Sequence, residues 1–596
     1  MRISNKFEIS GNITSIIMSS TGIGLSKLFY GEYVEGELRG SNATLLRSYW
    51  DFGGIRRYWS NGSFEFASVY GDLAVYVVRG YRGIIQGEFK VRGFGGISEL
   101  SDGSINVKHE GGFMRIKSNQ PLNLKVLDNG FAVTININGE LRVVTAGGDQ
   151  VNDIDKALND ESQVESKRRL WLSTLMSNVN GDDLIKLCWY VILTNRCSVP
   201  NHQALRKPFN MPSKYVFKHQ WLWDSSFHSI VLSHYDVNMA MEELENLFTN
   251  QKPDGRIPHE IFMSKEACKS FWGIDDYSPW TTQPPVLAVA VDRVLSVKWD
   301  DDFAKRAINA LMKYDEWFRS QRDGDSDYLY SYFDPLESGW DNSPRWDEAT
   351  RRFNENPQRY GRYGKLTMAP IEAVDLNSLI YLQRRIIAKL ARRLGEVKAA
   401  NYYDELADET ARAIRRITWN NEDGFFYDVY EENHELIRVK TPAAFLTLFS
   451  GIATGEQAEK LVVHLFNPRE FWTMFPLPSV SADEPTYDPA GYWRGRSWIN
   501  LVWFTYHGLR NYGYYNEASR LLNKVLEVMG KSMTCSENYN SSNGEPMGAP
   551  DFGWSTLVID MVMSESGKGA WGLWVHYETL LNLVSIFTYF RSLNRA

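Results

Sequence analysis

Between residues 121 and 144 the chain reads PLNLKVLDNGFAVTININGELRVV. Leu122, Leu124 and Val126 alternate with polar residues, Asn129-Gly130 offers a two-residue turn, and Phe131, Val133, Ile135 and Ile137 resume the alternation up to Asn138-Gly139. A period of two puts every second side chain on one face of a strand, so this pattern predicts a hairpin that ends in a second turn. Glycines recur at short intervals in GEYVEGELRG and YRGIIQGEFKVRGFGG. Together these stretches predict an all-β sandwich over residues 1–155.

After about residue 160 the period becomes helical, beginning with ESKRRLWLSTLMSNV and DDLIKLCWYVILTN. Phe303, Ala307, Leu311, Tyr314 and Phe318 form one apolar stripe, and Ala518, Leu521, Leu522, Val525 and Met529 another. About a dozen such segments follow one another, joined alternately by short and by long, tryptophan-rich connections. A solenoid would repeat its sequence every roughly 30 to 50 residues, and no such repeat is present. Paired helices with long loops predict an all-α (α/α)6 toroid over residues 160–596.

Charge removes several functions. Lys and Arg number 65 against 73 Asp and Glu, so the net charge is 65 − 73 = −8, and no basic run stands out. Nucleic acid and anionic membrane surfaces both require clustered cations, and neither is expected as a partner. No uninterrupted apolar run approaches the roughly 20 residues needed to cross a bilayer, and MRISNKFEIS lacks the apolar core of a secretion signal. Cys188, Cys197, Cys268 and Cys535 show no zinc-like pairing. These features together predict a cytoplasmic protein; the sequence is silent on oligomeric state.

The long connections hold the unusual clusters: KHQWLWDSSFHS with Trp223 and Asp224, SPWTTQPP with Gln283, DPLESGWDNSPRWDEA, GYWRGRSWIN, and SENYNSSNGEPMGAPDFGWS. A solvated loop seldom uses indole rings, and a core segment excludes acids. A polar cleft uses both, because a sugar offers hydroxyls to carboxylates and amides and an apolar C–H face to tryptophan. Asp224, at the start of a helix, is also a candidate N-cap. Hydrolysis of a glycosidic bond needs two carboxyl groups, one to protonate the leaving oxygen and one to activate water or attack. Asp224, Glu337, Asp341, Asp347, Glu537, Glu545 and Asp551 all lie inside aromatic clusters, and composition does not choose among them.

The segment FDPLESGWDNSPRWD resembles the inverting α-glycosidases related to glycoside hydrolase family 63, the group of processing α-glucosidase I and mannosylglycerate hydrolase. WLWDSSFH, DGRIPHE, TTQPP, VDLNSLIY, YWRGRSWINL and ENYNSSNGEPMGAPDFGWS are similar to further motifs of that group, in order. The resemblance implies that Asp341 is the general acid and Glu537 the general base. It also makes Trp223, Asp224, Gln283, Trp340, Asn342, Arg345, Tyr492, Trp493, Trp498 and Trp554 candidates for the sugar pocket. Arg496 and Ser497 depart from the group, which has Pro followed by a small or apolar residue there. Trp340 and Pro344 flank Asp341, a setting expected to exclude water and raise its pKa, with Arg345 turned toward Asp347, Glu348 or the sugar. Glu545 stays a rival for the base.

The expected activity is that of an exo-acting inverting α-glucosidase on a carbohydrate substrate. A glucosylglycerate or mannosylglycerate hydrolase is the alternative, and a non-catalytic sugar-binding protein the rival outside enzymes. Two carboxyl groups suffice for the reaction, so no cofactor is expected to be required. In RDGDSDYLYSYFD, Asp323, Asp325 and Asp327 repeat the first three ligand spacings of a calcium loop. Tyr328 stands where an EF-hand has Gly, and Asp334 replaces its distal Glu. The segment is therefore not an EF-hand, and two readings stand: a solvated acidic turn or a structural Ca²⁺ site.

Overall fold

The computed structural model describes residues 7–566. They form two compact units, one made of the chain up to Trp221 with Glu260–Pro279, the other of Leu222–His259 and the chain from Trp280 on.

The first unit holds an antiparallel β-sandwich of thirteen strands among its described residues. Two long strands, Leu73–Val91 and Gly130–Gly147, pair along nearly their whole length and carry shorter strands on both sides. The hairpin at Asn129-Gly130 forms, with Leu124 opposite Val133 and Val126 opposite Phe131. Phe131, Val133, Ile135 and Ile137 are buried, and the polar residues between them are not. Asn138-Gly139 differs from expectation. The strand runs on through it to Gly147, and the pairing shifts register between Gly139 and Glu140. Gly139 has φ +102°, so its left-handed backbone makes a bulge where a turn was expected.

The second unit is built from helix pairs. Leu222–Leu232 and Val237–Thr249, Leu287–Val297 and Asp301–Gln321, Val374–Arg393 and Val397–Ile417, Leu446–Ser450 and Gly455–Leu465, and Ile499–Asn511 and Tyr515–Ser532 are each joined by a short turn; Val558–Glu565 opens a further turn of the pattern. The first helix of each pair packs against the first helix of the next, and Val558–Glu565 packs back onto Leu222–Leu232. The ring thus closes into an (α/α)6 toroid. Its burial pattern follows: every residue of Leu222–Leu232 is buried, as befits a helix covered all round, whereas Asp301–Gln321 and Tyr515–Ser532 bury one face that contains the two predicted stripes.

The long connections always precede an inner helix. Segments 322–373, 418–445, 466–498 and 533–557 therefore all emerge at the same end of the ring, the end of the inner-helix N-termini. They bring together residues far apart in sequence.

Candidate active site

Glu537 sits just before the two-residue strand Asn538–Tyr539, which pairs with Pro546–Met547 across a tight turn. Its backbone is held on both sides: its N–H donates to Ala549 O (2.9 Å) and its carbonyl accepts from the Trp554 indole (2.8 Å). The residue is 3% exposed, and its carboxylate has two donors. It accepts from the Tyr492 hydroxyl at Oε1 and from the Ala549 amide at Oε2 (2.8 Å). Gly548 makes room for this. A Cβ there would lie 2.5 Å from Glu537 Oε2, and its φ is +73°. Burial raises the Glu537 pKa above the ordinary carboxylate range, against the lowering effect of Tyr492, the Ala549 amide and the Arg496 charge.

Tyr492 is bonded to one candidate carboxyl and feels the charge of the other. Its phenol is raised by burial first, then by the charges of Glu537 and of Asp341. Asp341 and Asn342 are exposed at the tip of the segment that follows Gly339. Among the described residues Trp340 does not enclose Asp341, because its indole turns inward, 1% exposed, to stack on Trp493 at 5.3 Å and 16°. Asn342 Oδ1 accepts from the Trp493 amide (2.8 Å), which ties the Asp341 segment to the one carrying Tyr492.

Under these groups lies a cluster of five tryptophans. Trp493 stacks on Trp498 at 3.6 Å, and Trp554 meets Trp498 and Trp223 edge-on at 5.7 and 5.5 Å. Trp340 and Trp498 thus both stack on Trp493. This candidate for the sugar pocket is 1% exposed and packed among other indole rings. Gly339, φ +71°, admits the Trp223 ring, which an added Cβ would meet at 2.4 Å. The Gln283 side-chain carbonyl accepts from the Trp223 amide (3.2 Å). Asp224 is buried as the third residue of its helix, inside the first turn instead of at its N-cap.

Arg345 departs most from expectation. It is fully buried between the rings of Trp340 and Trp346, 4.3 and 4.0 Å from their centroids. It grips Asp375 with two bonds of 2.9 and 3.0 Å and Asp428 with a third of 3.2 Å. Asp347, its expected partner, pairs with Arg494 at 2.8 Å, and Glu348 pairs with Arg351 and Arg352. A buried guanidinium needs carboxylates that are themselves buried, and only Asp375 and Asp428 meet that need. Of the other acids, Glu337 is buried on Arg322 (2.7 Å), and Glu545 is exposed in the turn between the paired strands.

Residues 217–555 match the mannosylglycerate hydrolase MGH1-like glycoside hydrolase domain, more than half of the chain. The chain belongs to this family. The glycosidase is 30% identical over 406 residues to the mannosylglycerate hydrolase of Thermus thermophilus, covering 59% of this chain and 96% of that one. It is 28% identical over 416 residues to the mannosylglycerate hydrolase of Rubrobacter radiotolerans, covering 60% and 93%. A family 63 mannosylglycerate hydrolase from another strain of Thermus thermophilus, solved with Tris and D-glycerate, superposes with a TM-score of 0.56 at 26% identity over 64% of this chain and all of that one. A bacterial glucoamylase complexed with acarbose covers 96% of this chain with a TM-score of 0.65 at 10% identity, a likeness of fold.

Sequence reasoning missed Asp375 and Asp428, the Ala549 amide and the charge of Arg496. Asp375 stands in the motif VDLNSLIY, and its place in the first turn of an otherwise apolar helix start was the available signal. Asp428 lies in the aromatic and acidic stretch GFFYDVYEE and Ala549 in the cluster around Glu537, but only the three-dimensional pairing shows which partner each one meets.

Proposed function

We propose that the protein is an exo-acting inverting α-glycosidase in which Asp341 is the general acid and Glu537 the general base. The observation that carries this is Tyr492, whose hydroxyl donates to Glu537 and whose phenol also feels the charge of Asp341. Asp341 is open to solvent, where it can give its proton to a leaving oxygen. Glu537 is held by two donors, which leaves carboxylate lone pairs to take a proton from an attacking water. Its raised pKa makes it a stronger base than a free glutamate. The substrate read from the motifs is a terminal α-linked glucose.

A second reading of the substrate, an α-glycoside of glycerate, is favoured by the names of the relatives and by Arg496. This cation lies 5.6 Å from the Tyr492 ring and acts on Glu537. A carboxylate-bearing aglycone would meet an opposite charge there. A panel of α-linked glucose disaccharides and oligosaccharides, glucosylglycerate and mannosylglycerate, assayed for the released sugar, separates the two readings. Glucose from the oligosaccharides supports the first, and turnover of the glycerate compounds alone supports the second. No turnover of any α-glycoside contradicts the proposal.

A further inference from the structure

The acidic segment 323–329 takes an unusual path. Ser326 and Tyr328, neither of them glycine, adopt φ of +64° and +73°. The Asp327 amide donates to Asp323 Oδ1 (3.2 Å) and the Leu329 amide to Asp327 Oδ1 (2.8 Å). Tyr328 thus bends the chain where a calcium loop would use Gly. The distal position does not follow that pattern, since Asp334 accepts from the Leu336 amide (2.8 Å) and the Thr367 hydroxyl (2.7 Å).

Other residues complete the cluster. Asp325, Asp327, Glu372 and His434 bring one ligand atom each within 4.8 Å of one another. Glu372 ends the short strand Ile371–Glu372, and His434 lies in the turn between Asp428–Tyr430 and Leu436–Ile437. His434 Nε2 is 3.1 Å from Asp325, 3.3 Å from Asp327 and 3.8 Å from Glu372. Ligand atoms about 2.1 to 2.4 Å from a shared ion stand about 3 to 3.4 Å apart along the edges of its coordination shell, close to these spacings.

The second observation is Glu372 itself. Its side chain is 0% exposed, yet neither carboxylate oxygen accepts a hydrogen bond among the described residues. Asp327 Oδ2 is buried without a hydrogen bond as well. Burial and the charges of Asp327 and Asp325 push the Glu372 carboxyl up to about 10. Buried carboxylates are ordinarily paired or bound to a metal. Three acids facing one imidazole leave a net negative charge that a divalent ion would balance.

We infer that Asp325, Asp327, Glu372 and His434 bind one divalent cation, held mainly by carboxylate oxygens. Such an ion clamps segment 323–329 to the four-stranded sheet of Ser331–Tyr332, Ile371–Glu372, Asp428–Tyr430 and Leu436–Ile437. The same sheet carries Asp428, one of the two acceptors that hold Arg345 under the Asp341 segment. The site is structural and independent of the proposed hydrolysis.

The test uses the full-length protein stripped with a chelator, titrated calorimetrically with Ca²⁺, Mn²⁺ and Zn²⁺ separately, and followed by thermal unfolding. One equivalent of at least one cation should bind, and Tm should rise by a few degrees on binding. Glu372→Gln relieves the repulsion, so the variant should fold at least as well, lose the cation and show a Tm indifferent to chelation. His434→Ala, at a more exposed position, should weaken binding by at least about tenfold. A wild-type Tm unmoved by chelation and by all three cations, with no stoichiometric binding, would overturn the inference. Binding of equal strength in both variants would overturn it too.

Discussion

At the scale of residues, Tyr492 donates to Glu537 and feels the charge of Asp341. Asp341→Asn and Glu537→Gln keep the shape of each side chain and remove its proton chemistry, so each should lower kcat by several orders of magnitude while the protein stays folded. Glu545→Gln, in the exposed turn, should cost far less, and steady-state kinetics beside circular dichroism would check all three. Tyr492→Phe gives a finer test. The base must be ionised, so activity falls as pH drops through the Glu537 pKa. The Tyr492 hydroxyl lowers that pKa, and its removal should shift the acid limb of the pH profile upward. An unmoved or downward-shifted limb would mean that Glu537 is not the group titrating. The sequence shows that these residues stand in motifs, but not which way they face. It placed Asp341 in a dry setting because Trp340 adjoins it, whereas adjacent residues of an irregular segment can point oppositely, and here the indole is buried and the acid exposed.

At the scale of elements, the Asp341 segment is a short irregular stretch fastened to regular structure by Arg345. Its two acceptors come from different elements, Asp375 from the first turn of Val374–Arg393 and Asp428 from a strand. Removing the cation leaves two buried carboxylates uncompensated, so Arg345→Met should destabilise by about 3 to 5 kcal/mol, read in denaturant unfolding. Asp375→Asn should destabilise less, because the amide still accepts one bond. Helices and strands were legible wherever one face is buried, as in the stripe from Phe303 to Phe318 and the alternation from Phe131 to Ile137. The bulge at Gly139 was not, since the same Asn-Gly pair that makes a turn also fits a bulge, and the choice belongs to the pairing strand.

At the scale of the whole molecule, the first unit is more than its sandwich. Val164 of the helix Ser162–Leu175 packs into the same core as Phe66, Val75, Val77 and Val144. Arg168, fully buried, donates to the carbonyls of Ser10 (2.6 Å) and Val69 (2.8 Å). A chain begun at Glu161 would leave that guanidinium without these acceptors and expose the apolar core, so it should aggregate or unfold at a lower temperature than the full-length protein, as thermal unfolding with light scattering would show. The change from β to helical period was legible in sequence because it is a change of pattern. The return of Glu260–Pro279 to the first unit was not, because it depends on Trp221 pairing with Glu260 across a long excursion of chain. In the second unit, the closed ring of inner helices gathers the loops that carry Asp341 and Glu537, and the stereochemistry of the product reports on that arrangement. Proton NMR of the first-formed sugar from an α-linked substrate is the most direct measurement of it. A single displacement by water on the opposite face releases the β-anomer first, which this account predicts; the α-anomer appearing first would contradict it.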